Sequence, residues 1–320
     1  MELFLHIGSH KAGSTSIQSF LEKNSKTLEE SACAVPDFLN YKNNWQLAAW
    51  AGYPKNAHYY TDILCSHSKE DLKIHAEQFG KVVKTYLEEK KRSGNINKLI
   101  ISSEALYSQC SSPAAIQKIA ELTMPFFEKI TLIFYYRKQT KLVKSVYAQL
   151  VKGPSLTTSS YNEFISTIYD DKIYNYFATV DQWAQVFGNR NIEISEISRE
   201  TNLTGKRLIE DFLEKIKEPN KSYTLTIASN TKNQSPNFRT LNILRYINML
   251  VSRSPLALNY NSKIIRISHY LAKKLPFKGD FTTSFDAEIE KHFAESNKNL
   301  IEQNFTNSTI VSIENNLEKT

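Results

Sequence analysis

Residues 5–20 read LHIGSHKAGSTSIQSF, and this stretch carries most of what the sequence says about fold and function. Gly8 and Gly13 have the spacing of the two glycines in a nucleotide-binding phosphate loop, and Thr15 occupies the final position of that motif. Ser14 stands where the motif has its lysine, and the lysine of this loop is Lys11, two residues before Gly13. The stretch therefore predicts an anion-binding loop whose cation lies inside the turn.

The residues on both sides of the loop predict the context that such a motif needs. Glu2–Gly8 is a short apolar run that ends in glycine, which is typical of a buried strand, and Ser14–Lys23 has its apolar residues on one helical face. A glycine-bearing turn between a strand and a helix directs backbone N–H groups inward, where the helix dipole adds partial positive charge. We expect the loop to bind a phosphate-like group; the alternative is a glycine turn without a ligand.

Further strands alternate with helices along the chain. Strands are predicted at Asn97–Glu104, Lys129–Arg137 and Ile192–Ile197, and helices at about 70–91, 112–122, 140–151, 161–168, 174–187, 205–216, 238–251, 262–274 and 285–303. Such alternation is typical of a parallel sheet. We therefore expect an α/β fold like that of the P-loop nucleotide hydrolases, with helices on both faces of the sheet and a mostly helical C-terminal portion.

We expect residues 1–320 to form a single domain. Its sheet and cofactor-binding core would span residues 1–200, its helical portion 201–305, and a frayed tail 306–320. The aromatic-rich residues 30–68 have little periodicity, which favours loop packing, with a saccharide-facing cleft as the alternative. Cys33, Cys65 and Cys110 lie far apart, so we assign them neither a disulfide nor a metal.

A second basic segment, YYRKQTKLVKS, spans residues 135–145. It places Arg137 at the end of a predicted strand and Ser145 about two turns into the helix that follows. An arginine fork beside a hydroxyl suits a phosphate, and we expect this one to be separate from the group bound by the first loop. Two anion sites are what a nucleotide phosphorylated at both its 5′ and 3′ positions requires.

At these two segments the sequence resembles the sulfotransferases that use 3′-phosphoadenosine 5′-phosphosulfate (PAPS). HIGSHKAGSTSIQSFL (6–21) is similar to the 5′-phosphosulfate loop of that family, and LIFYYRKQTKLVKSVYAQLVK (132–152) is similar to its 3′-phosphate segment. A looser likeness covers NIEISEISRETNLTGKRLIEDFLEKI (191–216). The loop has Lys-Ala-Gly-Ser where the family has Lys-Thr-Gly-Thr or Lys-Ser-Gly-Thr, and the glycine-rich C-terminal segment of its cytosolic members is not visible.

The resemblance implies a role for each matching residue. The 5′-phosphosulfate would be held by Lys11, Ala12, Gly13, Ser14, Thr15 and Ser16, and the 3′-phosphate by Arg137 and Ser145. PAPS would be the sulfuryl donor and 3′,5′-ADP the product. A sulfuryl group carries less charge than a phosphoryl group, so no metal is expected, and Lys11 would stabilise the charge that develops on the departing phosphate.

The resemblance also implies a base that deprotonates the acceptor. Glu104, in IISSE, is similar in placement to the catalytic glutamate of heparan-type sulfotransferases; a solvated or helix-capping role is its alternative. His10, inside the loop, is the second candidate, unless it only hydrogen-bonds the turn. His58 and His67 are weaker candidates.

The likeness is greatest to bacterial sulfotransferases that modify surface polysaccharides. This implies a carbohydrate or glycolipid acceptor, with the choice between hydroxyl and amine left open. One rival function is a P-loop kinase or nucleotide hydrolase, although no apolar strand ends in the aspartate that would hold Mg²⁺. The other is a non-enzymatic anion-binding module.

Composition bounds these alternatives. The net charge of +7 suits an anionic ligand or a lysine-rich surface, but no basic block is interleaved with aromatics, so we expect no nucleic-acid partner. No window approaches twenty uninterrupted apolar residues, and the N-terminus does not resemble a signal peptide. We therefore expect no transmembrane segment and a cytoplasmic protein.

Overall fold

The computed structural model divides the chain into two compact units. The first comprises residues 1–137, 175–228 and 296–320, and the second comprises residues 138–174 and 229–295. The residues that the structure describes are 1–38, 43–53, 68–110, 112–153, 156–198, 201, 203–218, 223, 238–252, 283–303 and 306–307.

The first unit is built on a parallel sheet. Its strands in the described residues are β1 (Glu2–His6), β2 (Cys33–Ala34), β3 (Lys98–Ser102), β4 (Lys129–Tyr136), β5 (Ile192–Glu196) and β6 (Thr306–Asn307). They are arranged in the order β2-β3-β1-β4-β5-β6, and all neighbours are parallel. Since β1 lies between β3 and β4, the loop that follows it leaves from the middle of the carboxyl edge of the sheet.

Helices occupy most of the remaining described residues. In chain order they are α1 (Ser14–Lys23), α2 (Ser25–Glu29), α3 (Trp45–Ala51), α4 (Lys69–Ser93), α5 (Glu104–Gln109), α6 (Pro113–Thr123), α7 (Gln139–Lys152), α8 (Tyr161–Ile168), α9 (Tyr176–Phe187), α10 (Lys206–Lys215), α11 (Phe238–Ser252) and α12 (Phe285–Glu302). The second unit contains α7, α8, α11 and the first part of α12. No helix of the described ranges is both long and apolar enough to cross a bilayer.

Both faces of the sheet are buried, which explains the uninterrupted apolar runs of its strands. On one face, alternate residues of β4 (Ile133 and Tyr135) pack in a core with α1 and α10. On the other face, Phe134 of β4 stacks on Tyr107 of α5 and meets Tyr176 of α9 edge-on, with ring centroids 5.3 and 5.9 Å apart. The predicted α/β fold, a parallel sheet covered by helices on both faces, is confirmed.

The second unit packs around tyrosines and one buried ion pair. Tyr161 of α8 meets the rings of Tyr147, Phe238 and Phe285, so that one residue joins α7, α11 and α12. Lys144 of α7 is buried, and its Nζ lies 2.6 Å from Oδ2 of Asp286 in α12.

Several element boundaries differ from those predicted. The second predicted strand ends at Ser102, and Glu104 is the first residue of α5 rather than the last residue of a strand. The short edge strands β2 and β6 were not predicted. The helix predicted at 262–274 lies outside the described residues, as do Cys65, His58 and His67.

The described part of the aromatic-rich stretch is involved in packing. Phe38 is 3% exposed and meets Phe79 and Tyr86 of α4 edge-on. Trp50 packs against the cluster of Ala49, Leu72 and Ala76, and its ring lies under the Lys118 ammonium, 4.4 Å from the ring centroid. Among the described residues, these aromatics take part in packing, and Trp50 does so from helix α3.

Candidate active site

The loop between β1 and α1, residues 7–13, is fixed to both neighbouring strands. The N–H groups of Ile7 and Ser9 donate to the carbonyls of Ile133 and Tyr135 in β4, each at 3.0 Å. On the other side, the N–H of Ser103, just after β3, donates to the carbonyl of His6 at 3.0 Å. Because β4 and the residue after β3 hold its entry, the position of the loop is set by the sheet.

The loop backbone then turns sharply. Lys11 and Gly13 have φ of 59° and 80°, in the left-handed region. Left-handed residues in such a turn bring successive N–H groups to one side, which makes a concave site for an anion. A Cβ at Gly13 would lie 2.4 Å from Cδ2 of Leu208, so both the conformation and the packing favour glycine.

Helix α1 begins without a side-chain cap. Its N-cap residue is Gly13, and its first turn contains no acidic residue. The described part of the chain offers no acceptor to the N–H groups of Lys11, Gly13, Ser14 or Thr15. Side-chain oxygens of Ser68, Ser112, Ser160 and Asn175 cap four other helices, whereas α2, α3, α5, α7 and α10 also begin without such a cap. The start of α1 is therefore open to an anionic acceptor.

The Ser14 hydroxyl is buried at this helix start. Ser14 is 3% exposed, and its Oγ has no hydrogen-bond partner among the described residues. Burying an unpaired hydroxyl costs free energy, about 1–3 kcal/mol by mutational measures. An orphaned hydroxyl beside unpaired amides fits an oxyanion that accepts from both.

The remaining predicted loop residues differ in exposure. Lys11 and Thr15 are exposed, His10 and Ser16 are half-buried, and Ala12 is fully buried in the core shared by α1 and α10. Lys11 makes no ion pair within the described ranges. Its ammonium is therefore available to a ligand at the loop.

His6 was not singled out by the sequence, because it sits in an apolar strand. It is fully buried; its Nδ1 lies 2.8 Å from the Ser102 hydroxyl, and its Nε2 has no partner among the described residues. Burial lowers its pKa to about 3, so the ring is neutral at ordinary pH. A Cβ at Gly8 would lie 2.5 Å from Nε2, which means that the loop passes directly over this ring.

Glu104 is the first residue of α5, immediately beyond the end of β3. Its side chain is half-buried, and its carboxylate has no hydrogen-bond or ion-pair partner within the described residues. The preceding residue, Ser103, is fully buried with an unpartnered Oγ and anchors the loop through its N–H. Glu104 thus follows a strand end that is hydrogen-bonded to the base of the loop.

Arg137 follows β4 directly and is the last residue of the first segment of the first unit. Its side chain is half-buried, and no carboxylate of the described residues pairs with its guanidinium. Its carbonyl accepts a 2.7 Å hydrogen bond from the hydroxyl of Tyr176, a residue that the sequence did not single out. Tyr176 is fully buried, and burial raises its pKa well above 10, while the nearby Ser9 hydroxyl opposes that shift.

Tyr176 therefore lies at two parts of the candidate site. It holds the main chain of Arg137 and adjoins Ser9 of the loop, which is itself bonded to β4. The phenol ring is wedged among Tyr107, Phe134 and Tyr136, with centroid separations of 6.3, 5.9 and 5.3 Å. Tyr176 is buried on all sides among other aromatic residues, so no sequence pattern distinguishes it from an ordinary core residue.

Ser145 lies in the second unit, on α7, and is half-buried. Of the nearby lysines, Lys138 and Lys141 are exposed, whereas Lys144 is buried against Asp286. A joint phosphate site of Arg137 and Ser145 stays a prediction.

Comparison with solved structures gives distant structural likenesses, one of them to a sulfotransferase. A crystal structure of a sulfotransferase from Alicyclobacillus acidocaldarius is similar to the chain with a TM-score of 0.42 and 14% sequence identity. The match covers 72% of this chain and 86% of that one. No family model matches the chain, and no curated protein sequence does. A likeness at this level assigns no role to any residue.

Proposed function

We propose that this protein transfers a sulfuryl group from PAPS to a hydroxyl or amine of a saccharide-type acceptor. The observation that carries the proposal is the loop at the middle strand of the sheet. It combines a left-handed turn, an uncapped helix start, a buried unpaired Ser14 hydroxyl and an unpaired Lys11. The resemblance of the two basic segments to PAPS-binding segments supports the same choice.

In this proposal the loop residues Lys11, Ala12, Gly13, Ser14, Thr15 and Ser16 hold the 5′-phosphosulfate, and Arg137 and Ser145 hold the 3′-phosphate. PAPS supplies an activated sulfuryl group. Lys11 stabilises the negative charge that develops on the 5′-phosphate as its bond to sulfur breaks. With that charge balanced by a lysine and the helix dipole, no metal ion is required.

The acceptor must lose a proton as its oxygen or nitrogen bonds to sulfur. Glu104 is our first candidate for the base, since its carboxylate is unpaired and follows the strand end that anchors the loop. His10 is the second candidate. His6 is a poor one because its ring is fully buried beneath Gly8.

The acceptor class rests on the sequence resemblance to sulfotransferases of bacterial polysaccharide clusters. We propose a carbohydrate or glycolipid acceptor, modified in the cytoplasm. An assay of labelled PAPS against a panel of saccharide acceptors identifies it.

Thermal unfolding tests whether the protein binds a 3′-phosphate in addition to a 5′-phosphate. We expect 3′,5′-ADP to raise the melting temperature far more than 5′-AMP, because only 3′,5′-ADP carries the group that Arg137 would bind. A ligand at a hundred times its dissociation constant stabilises the folded state by roughly 2.7 kcal/mol. In Arg137→Ala the advantage of 3′,5′-ADP over 5′-AMP should disappear.

Mg-ATP with and without EDTA is the matched comparison. Equal shifts with 3′,5′-ADP and 5′-AMP would contradict a 3′-phosphate site. A larger shift with Mg-ATP that EDTA abolishes would favour the kinase-like alternative.

A further inference from the structure

Helix α11 exposes an apolar stripe. Ile243, Tyr246 and Leu250 are 41%, 58% and 71% exposed, and they are three of the six large hydrophobic residues that are exposed among the described residues. With Arg239, which is also exposed, they follow the spacing i, i+4, i+7, i+11. At 3.6 residues per turn these four side chains fall within an arc of about 60°.

The opposite face of α11 packs in the core of its unit. Leu241 and Leu244 are buried, and the buried Asn248 donates to the carbonyls of Val151 and Thr157 at 2.9 and 3.1 Å. The helix is therefore anchored within its unit by one face, while the stripe points away from that core.

The sequence on either side of this helix has an unusual content of charged residues. From residue 219 to residue 279 the sequence contains no aspartate or glutamate, but it contains ten basic residues: Lys221, Lys232, Arg239, Arg245, Arg253, Lys263, Arg266, Lys273, Lys274 and Lys278. The whole chain carries 40 basic and 33 acidic residues, so the other residues carry 30 basic and 33 acidic. The net positive charge of the protein thus belongs to the stretch that contains α11.

Two basic side chains accompany the stripe directly. Arg239 continues it at its N-terminal end, and Arg245 lies over the ring of Tyr246, 4.8 Å from the ring centroid. Arg245 also contacts the carbonyl of Thr158, and its charge helps to lower the pKa of Glu163, after the hydrogen bonds from Ser160. Glu163 offsets part of the charge of Arg245, so Arg239 is the better cation for a partner.

We propose that this face of α11 binds the surface of an anionic lipid bilayer. An exposed apolar stripe flanked by basic residues is what interfacial helices present to headgroups and acyl chains. A purely polyanionic partner would use the positive charge but leave Ile243 and Leu250 without a role. Stable peripheral binding needs two signals, and the apolar stripe together with the exposed Arg239 provides both.

The test is co-sedimentation of the full-length protein with vesicles. We expect binding to vesicles rich in phosphatidylglycerol to be at least about tenfold tighter than to phosphatidylcholine vesicles, and to weaken as salt rises. The triple variant Ile243→Ser, Tyr246→Ser, Leu250→Ser should lose about tenfold or more in affinity. Arg239→Glu should lose about fivefold or more, because each basic residue near an anionic surface contributes about fivefold.

Matched controls lie on the other unit. The triple variant Ile74→Ser, Val82→Ser, Met124→Ser removes the remaining exposed large hydrophobics of the described residues, and Arg92→Glu reverses an exposed charge on α4. Both should bind like the parent protein. Thermal melts of every variant show that each is folded.

Three outcomes overturn the proposal. They are equal binding to both lipids, equal loss in the control variants, and binding to dextran sulfate without binding to vesicles. Vesicle binding needs neither PAPS nor an acceptor, so this result is independent of the proposed sulfuryl transfer.

Discussion

At the scale of single residues, surroundings decide what each polar group near the loop can do. Glu104 keeps an unpaired, half-exposed carboxylate at the start of α5, which leaves it able to accept a proton. Tyr176 is enclosed on all sides and donates to a main-chain carbonyl, so it can hold a neighbour but has no access to a substrate. The first is a candidate for chemistry and the second for positioning.

Glu104→Gln should keep 3′,5′-ADP affinity and lower turnover by about 10²–10⁴-fold, because glutamine has nearly the same shape but cannot accept the proton. Steady-state kinetics beside titration calorimetry measure the two effects separately. His10→Gln is the matched variant. If Glu104→Gln turns over normally while His10→Gln does not, the histidine is the base.

Tyr176→Phe should weaken 3′,5′-ADP binding about two- to tenfold and change kcat less, because the carbonyl of Arg137 loses its donor and the arginine is less firmly placed. The control is Thr123→Val. That hydroxyl is also buried and donates to a backbone carbonyl, that of Ile119, but in α6. A similar loss of ligand affinity in both variants would mean that Tyr176 has only a general structural role.

At the scale of the element, α10 contains two lysine–carboxylate pairs in very different environments. Lys206 and Glu210 pair at 3.1 Å with both side chains about half exposed. Lys215 is 1% exposed and lies 3.4 Å from Asp211 and 3.8 Å from Glu193 of β5. Asp211 also accepts the hydroxyl of Tyr135, and burial together with that carboxylate raises the pKa of the phenol. This network joins α10 to β4, which holds the loop, and to β5.

Lys215→Met should lower the free energy of unfolding by about 3–5 kcal/mol, because it leaves two carboxylates without their buried cation. Lys206→Met should change it by less than about 1 kcal/mol, since an exposed pair is screened by water. Urea unfolding midpoints compare the two. Equal effects would show that burial of the Lys215 network does not set its contribution.

Periodicity predicted the longer elements well. The predicted bounds of α1 and α8 are those observed. The two-residue strands β2 and β6 are too short to produce a pattern. Glu104 was placed in a strand because the apolar run before it ends without a glycine or proline, so nothing local marks the turn into α5.

The candidate site was predictable where it is local in sequence. The loop and Arg137 are short motifs, and their setting at strand ends could be inferred. His6 and Tyr176 could not, because their importance depends on contacts with Ser102 and Arg137, 96 and 39 residues away. An isolated polar residue within an apolar run was the one available signal for His6.

At the scale of the whole molecule, the order of strands across the sheet differs greatly from their order along the chain. β1 is first in sequence but lies in the interior of the sheet, with neighbours that start at residues 98 and 129. Strands that come later in the sequence thus pair with both edges of β1, the strand that leads into the loop. The chain leaves the first unit just after Arg137 and returns to it at Asn175.

This arrangement has a consequence for synthesis on the ribosome. At about 5–20 residues per second, the end of β4 follows the end of β1 out of the ribosome by roughly 7–26 s. Only after that interval can both edges of β1 be covered. During that interval a nascent chain presents the apolar segment Leu3–Leu5 with open hydrogen-bonding edges, as aggregation-prone strands do. A chain stalled after β3 has left the ribosome, but before β4 has done so, would have β1 paired on one side only. Nascent chains stalled at that stage should therefore be the ones most in need of a chaperone, and those from which β4 has emerged much less so.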